Sequence, residues 1–201
     1  DPADGMIPYL PWARTRRDEV DKFLASPNVA QVDTRNRGWS DGVPRINFYF
    51  VNPFQIIQPK GAVVVLYEAQ HEFRFIPLDG RQPLDTGVKL WMGSSRGRWE
   101  GHTLVAEVRN INDRVRFTVS GDFASDDVKV TERWEFVDHE TIKHSATFED
   151  PKVYARPFTV AKTIRRVKVT KNFELMEYSG VEGDKDTHLM VDIPATLHQG
   201  K

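Results

Sequence analysis

The chain of 201 residues contains no cysteine, which excludes disulfide bonds, thiolate metal sites and cysteine nucleophiles. It also lacks any apolar run near the roughly 18 to 20 residues that a membrane-spanning helix needs, so we predict no membrane span. Neither sign of charge is in excess, because 28 basic residues stand against 29 acidic ones and the formal net charge is -1. This balance argues against a nucleic-acid partner, since phosphate binding needs a basic surface.

What the sequence does contain is a series of short β-branched and aromatic segments, separated by turn residues about every eight to twelve positions from Ile46 onward. Apolar and polar residues alternate within them, as in antiparallel strands with one buried face. We predict a mainly β fold, an antiparallel calycin-like or lipocalin-like β-barrel of about eight to ten strands with room for one small ligand. The candidate strands are residues 46–51, 54–58, 62–77, 88–92, 103–108, 115–119, 128–137, 141–149, 158–167 and 173–178.

The residues before the first strand differ in composition from the rest. Residues 1–12 contain three prolines and predict an extended arm laid over the body. A short helix follows, which Thr15 could cap and which ends before Pro27. We therefore predict a single domain in three parts. These parts are an N-terminal arm, helix and loop over 1–45, a barrel over 46–180 and a tail over 181–201.

The segment 62–77, AVVVLYEAQHEFRFIP, reads as one long strand that carries His71 into a row of aromatic residues. Desolvation by these neighbours would favour the neutral imidazole, which suits a general base. A core histidine satisfied by one hydrogen bond is the alternative. Arg74 lies on the opposite face and would stabilise charge if it turned inward. The aromatic side chains on the face of His71 are those of Tyr67, Phe73 and Phe75.

A second group of candidates lies on the best-defined predicted hairpin, formed by 128–137 and 141–149. Glu132 falls on an apolar face beside Trp134, and His144 falls on the apolar face of the neighbouring strand. A carboxylate in that position is either paired with a buried cation or kept protonated as an acid. The sequence leaves both interpretations open.

Tyr154 and Trp91 complete the candidate set, and a metal site has only weak support in the sequence. Tyr154 lies in a loop where it could supply an acid at the mouth of a pocket, and Trp91 could line that pocket or fill the core. His71, His144 and Glu132 would form an acceptable ligand set for zinc or iron. The chain lacks the HxH and HExxH spacings of strong metal motifs and the GxSxG of serine hydrolases. We therefore predict no metal and no cofactor.

Six motifs resemble, in the same order, those of a bacterial family of hypothetical secreted proteins. They are GVPR (42–45), PFQIIQ (53–58), YEAQHEFRFIPLDGR (67–81), WMGSSRGRWEG (91–101), EDPKVYARPFT (149–159) and EYSGVEG (177–183). The resemblance implies that His71 and Arg74 belong to the family pattern. It also implies export, so a periplasmic or secreted location is expected, with a signal peptide absent from this sequence.

This chain departs from that family pattern at several positions, among them Ala124 and Lys129, which stand in place of histidines. If those histidines serve a metal or a proton relay, this member has lost part of the apparatus. The departure is compatible with a changed reaction or with binding that has no catalytic step.

Three functional hypotheses follow. The first is a cofactor-free lyase, isomerase or cyclase acting on a hydrophobic or aromatic compound, with His71 as base and Glu132 or Tyr154 as acid. The second is a non-catalytic carrier of the lipocalin type, and the third is a scaffold that packs on another protein through the arm and the loop 28–46. The expected partner is a small hydrophobic or aromatic ligand, and a homodimer is left open. The predicted ligand-binding residues are Tyr67, Phe73, Arg74, Trp91, Trp134 and His144.

Overall fold

Two antiparallel sheets form the body of the part of the chain that the structure describes. The computed structural model describes residues 2–22, 33–35, 38–48, 53–168 and 173–176. Within them, eight strands form a three-stranded sheet with the order β1-β2-β3 and a five-stranded sheet with the order β4-β5-β6-β7-β8. The predicted mainly β, antiparallel fold is confirmed. The strands are β1 Phe54–Ile57, β2 Ala62–Tyr67, β3 Phe73–Pro77, β4 Ser94–Glu100, β5 Thr103–Arg109, β6 Lys129–Phe136, β7 Thr141–Glu149 and β8 Phe158–Arg165.

Among the described residues, two helices precede the strands. Helix α1, Pro11–Lys22, starts with proline, whose missing N–H costs nothing in the first turn. The predicted cap at Thr15 is wrong, because its hydroxyl lies inside the helix and donates to the Pro11 carbonyl oxygen at 3.2 Å. Helix α2, Arg45–Phe48, occupies part of the predicted strand 46–51 and corrects it, and the rest of that strand lies outside the described residues.

The N-terminal arm lies across the body beside the loop that follows β7. The Leu10 amide donates to the Val153 carbonyl oxygen at 2.9 Å, and the Ala155 amide donates to the Pro8 carbonyl oxygen at 2.8 Å. These bonds attach the arm as a short extra extended segment.

The most regular strands match their predictions. Residues 141–149 form β7 with the predicted bounds, and β6 and β7 pair as the expected hairpin with Trp134 opposite His144. The predicted strands 88–92 and 115–119 are not strands, and β4 was missed because its Ser-Ser-Arg-Gly sequence is typical of a turn. Residues 173–176 form no strand, whereas 177–178 and the tail 181–201 lie outside the described residues.

The two sheets meet where β3 passes β4. A Cβ atom on Gly97 would lie 2.6 Å from Cγ2 of Ile76 and 2.8 Å from Cδ2 of Leu78, so this approach requires a residue without a side chain. Among the described residues no hydrogen-bonded ladder joins the two sheets. A closed barrel is therefore not found, and closure of the calycin type stays a prediction.

Apolar side chains fill the space between the sheets and below the arm. Val63, Ile76, Leu104 and Trp134 form the layer between the sheets. A larger cluster under the arm and α1 is centred on aromatic residues that include Phe123, Phe148 and Phe158. None of the described helices is long and apolar enough to cross a membrane.

Candidate functional site

A buried ion pair links the two sheets. Glu132 projects from β6 toward the three-stranded sheet and is 0% exposed, and Arg74 projects from β3 toward it and is 2% exposed. Arg74 Nη2 lies 2.5 Å from Glu132 Oε2. The residues opposite Glu132 on β5 and β7 are Ala106 and Ala146, which leave space for the long guanidinium. Arg74 also donates through Nε to the Ser95 hydroxyl at 2.9 Å.

The other oxygen of Glu132 is bound by two side chains. Asn47 on α2 donates through Nδ2 to Oε1 at 3.0 Å, and His144 Nε2 lies 3.0 Å from the same oxygen. Tyr67 donates its hydroxyl to Oδ1 of Asn47 at 2.9 Å. Both oxygens of Glu132 are thus engaged, and every member of this network is nearly inaccessible to solvent.

Glu132 is a carboxylate in this environment. Burial by itself raises the pKa of the carboxyl group, but the Arg74 charge and the His144 hydrogen bond outweigh burial and lower that pKa to about 2. Glu132 also raises the pKa of Arg74, even though burial opposes this shift. Since an ionised carboxylate only accepts hydrogen bonds, Nε2 of His144 must be the nitrogen that carries a proton toward Glu132.

His144 lies between two aromatic rings. The centroid of Phe48 is 4.8 Å from that of the imidazole, and the centroid of Trp134 is 4.3 Å away. Nδ1 of His144 and Nε1 of Trp134 are buried and have no hydrogen-bond partner among the described residues. Two polar atoms next to the ion pair are therefore open to a further partner.

A cleft opens beside this network, between β1 and the β7–β8 edge of the larger sheet. Its volume is about 920 Å³. Asn47, whose buried amide binds Glu132, is also one of the residues that line the cleft. Its walls combine apolar side chains, among them Phe54, Ile56, Phe136, Ile142 and Ile164, with charged ones, among them Asp138, Glu140, Arg165, Arg166 and Glu174.

Lys162 is one of the cations that line this cleft, with Arg165 and Arg166. It is the β8 partner of His144 in the ladder, so its side chain projects on the face shared with Val160 and Ile164. Its Nζ lies 5.9 Å from the centroid of Phe48, and burial lowers the pKa of its ammonium group. No carboxylate of the described residues forms an ion pair with it.

His71 does not face a chamber, and the single strand predicted over 62–77 is wrong. The chain reverses at Gln70 and His71, whose φ angles are 57° and 54°, and the Glu72 amide donates to the Ala69 carbonyl oxygen at 3.3 Å. These angles are typical of a tight type I′ hairpin turn. His71 is exposed at the tip of the β2–β3 hairpin.

The same turn changes the faces of the residues that follow it. Arg74 points inward with Tyr67, whereas Phe73 and Phe75 point outward and are 64% and 46% exposed. The predicted grouping of His71 with both phenylalanines is therefore wrong, and Arg74 takes the interior position instead.

Tyr154 and Trp91 lie away from the ion pair. The Tyr154 hydroxyl donates to the Phe123 carbonyl oxygen at 2.7 Å beside the N-terminal arm, and burial raises its pKa well above the ordinary value. Trp91 contacts Trp39 with ring centroids 5.3 Å apart and packs on the cluster under the arm. The structure brings together Tyr67, Arg74, Glu132, Trp134 and His144 from the predicted set.

Asn47, Phe48 and Lys162 were missed. Asn47 and Phe48 lie on α2, where the sequence pattern predicts a strand and so gives no reason to place them at this site. Lys162 did leave a signal, since a lysine in phase with Phe158, Val160 and Ile164 stands on an otherwise apolar strand face.

A second polar network lies near the hairpin turn. Arg45 binds Asp33 at 2.9 Å and Asp41 at 3.5 Å. Burial raises the pKa of Glu72 to about 7, a hydrogen bond from Ser40 opposes this shift, and the Asp41 charge adds to it. Burial also raises the pKa of Asp41, although Arg45 opposes this shift. The described residues contain no group of three or more ligand-type side chains that could hold a metal ion.

Comparisons of this chain with protein-family models, with curated proteins and with solved structures found no match.

Proposed function

We propose that the protein binds a small hydrophobic or aromatic molecule in the cleft between its two sheets and releases it unchanged. The observation that carries this proposal is an open cleft of about 920 Å³, lined by apolar and charged side chains, beside a buried polar network. Its volume lies in the range of pockets for small organic ligands, whose apolar part the side chains of Phe54, Ile56 and Ile164 can cover.

The chemistry of Glu132 favours binding over catalysis. A general acid needs a proton near neutral pH, but Glu132 is ionised and both of its oxygens are engaged. The other two expected catalytic residues, His71 and Tyr154, lie at an exposed turn and beside the arm. The ion pair therefore serves to hold the two sheets and the cleft wall in place.

The proposal extends to architecture and location. We regard the two sheets as parts of an incompletely closed calycin-like barrel, with the cleft between β1 and β8 as its opening. The family resemblance supports a periplasmic or secreted protein, and a carrier of hydrophobic compounds suits that location. A homodimer stays a prediction.

An enzyme is the second candidate, and one observation favours it. His144 is oriented by a carboxylate through Nε2, while Nδ1 has no hydrogen-bond partner among the described residues. This is the arrangement of a histidine base held by a carboxylate, and it would replace His71 as the base of a lyase, isomerase or cyclase.

Fluorescence titration with N-phenyl-1-naphthylamine, a neutral aromatic probe, tests the binding proposal. We expect saturable binding of about one probe per chain. Ile56→Trp fills the cleft from β1 and should weaken binding roughly tenfold or more. Ile57→Trp is the matched control, because Ile57 is the next residue on the same strand, is 40% exposed and faces outward.

Three outcomes decide between the candidates. Absence of saturable binding, or equal weakening by Ile56→Trp and Ile57→Trp, overturns the cleft as the binding site. Recovery of unchanged compound by mass spectrometry supports a carrier. Conversion of the compound by the wild type but not by His144→Gln, whose amide can still donate to Glu132, would establish catalysis instead.

A further inference from the structure

Lys162 is a half-buried cation that contacts apolar side chains and has no charged partner among the residues that the structure describes. Its ladder neighbour is His144, and the inward-facing residues on either side of it along β8 are Val160 and Ile164. Desolvating an ammonium group costs free energy unless an anion compensates it. Its contact with Phe48, with Nζ at 5.9 Å from the ring centroid, lies at the outer limit of a cation–π interaction.

The nearest buried carboxylate in the network cannot supply that anion. Oε1 of Glu132 accepts from Asn47 and His144, and Oε2 pairs with Arg74. The charges of Arg74 and Glu132 cancel, and none of the carboxylates that line the cleft, those of Asp138, Glu140 and Glu174, forms an ion pair with Lys162 among the described residues. An amphipathic anion would supply the missing partner of Lys162 and bury its apolar body against the apolar side chains around it.

We propose that the ligand of the cleft carries an anionic oxygen headgroup, a carboxylate in its simplest form, which pairs with Lys162 while its apolar body lies along the cleft walls. This inference rests on the proposed binding function, and it names the chemical class of the ligand. Asn47 lines the same cleft. It precedes Phe48 in the sequence, and the ring of Phe48 is the one that Lys162 contacts.

Displacement of N-phenyl-1-naphthylamine by two compounds of equal chain length tests the headgroup. Dodecanoate and dodecan-1-ol have the same apolar body, and only the first is an anion. The wild type should bind dodecanoate roughly tenfold or more tightly than dodecan-1-ol, as one added charge interaction predicts. Dodecyl phosphate, as a third arm, shows whether the site takes oxyanions generally or carboxylates alone.

Lys162→Met keeps the aliphatic stem and removes the charge, so it should abolish the preference for the acid over the alcohol. Lys143→Met is the matched control, because Lys143 lies next to His144 on β7 but is exposed on the opposite face. This control should keep the preference for the acid.

The outcomes separate this inference from the function on which it rests. Equal affinity of the wild type for acid and alcohol, with both displacing the probe, overturns the anionic headgroup and leaves the binding function intact. Failure of the naphthylamine probe to bind overturns the binding function itself. Retention of the acid preference in Lys162→Met overturns the role of Lys162. The comparison of dodecanoate with dodecan-1-ol uses only the wild type, so it tests the anionic headgroup even if the variant does not fold.

Discussion

The carboxylate of Glu132 and the guanidinium of Arg74 are each buried at a cost that the other offsets. Moving either charge out of water costs several kcal/mol, and the short ion pair with its added hydrogen bonds compensates for that cost. The two groups come from different sheets, so the compensation works only while the sheets stay together. Removing one partner should therefore weaken the whole fold.

We expect Glu132→Gln to lower the free energy of unfolding by about 3 to 5 kcal/mol, because it leaves the charge of Arg74 buried without a counterion. Urea denaturation at pH 7 measures this change. Glu107→Gln is the control, since Glu107 pairs with Arg98 on the exposed face of β5, and its free energy of unfolding should stay close to that of the wild type.

The double variant Glu132→Met with Arg74→Met tests whether the loss of stability in Glu132→Gln comes from the unpaired charge or from changed packing. It removes both charges and keeps apolar volume, so it should regain most of the stability that Glu132→Gln loses. A single variant as stable as the wild type would contradict the electrostatic interpretation.

The β2–β3 hairpin shows how one turn decides which residues reach the site. A type I′ turn needs positive φ at both central residues and is normally built from Asn-Gly, but here Gln70 and His71 occupy those positions. Residues other than glycine, asparagine and aspartate pay a conformational cost in this region. The hairpin thus carries local strain at its tip.

Gln70→Asn should relieve part of this strain and raise the free energy of unfolding by up to about 1 kcal/mol, the lower end of the cost of a strained backbone position. Gln70→Val should act in the opposite direction, because a β-branched residue tolerates positive φ poorly. Thermal unfolding of the two variants beside the wild type measures both changes. If both variants changed the stability by the same amount in the same direction, side-chain contacts and not the backbone angle would determine the effect.

The elements that sequence reasoning predicted well are those whose patterns are locally unambiguous. The hairpin of β6 and β7 combines long alternation with a polar turn, so the pairing of its strands and the shared inward face of Glu132 and His144 could be predicted, whereas the register came from the structure. The turn at 70–71 could not, because Gln-His carries no turn signal and the alternation continues through it. Arg74 shares the inward face of Tyr67 only because the chain reverses at these two residues.

The two polar networks give the whole molecule a stability that depends on pH in opposite senses. Glu132 has a pKa of about 2 in the folded state, below its ordinary value of 4.5, so its contribution is present above about pH 4.5 and is lost as the pH falls toward 2. Glu72 has a folded pKa of about 7, above the ordinary 4.5. Its contribution is present below about pH 4.5 and is lost as the pH rises through 7.

The free energy of unfolding should therefore pass through a maximum near pH 4.5 to 5 and fall toward neutral pH, where the folded state keeps a proton that the unfolded state has released. Glu72→Gln removes the falling limb. At pH 8 this variant should exceed the wild type by roughly 2 to 3 kcal/mol, and at pH 4 the two should agree, because the carboxyl group is protonated there and resembles the amide. Urea denaturation at each pH measures the difference.

Glu135→Gln, on the exposed face of β6, removes a carboxylate of the same type and should leave the difference between pH 4 and pH 8 as in the wild type. A wild-type curve that rises between pH 5 and 7 would place the Glu72 carboxylate in contact with a compensating cation, and the buried acid near the hairpin turn would then stabilise the fold at neutral pH.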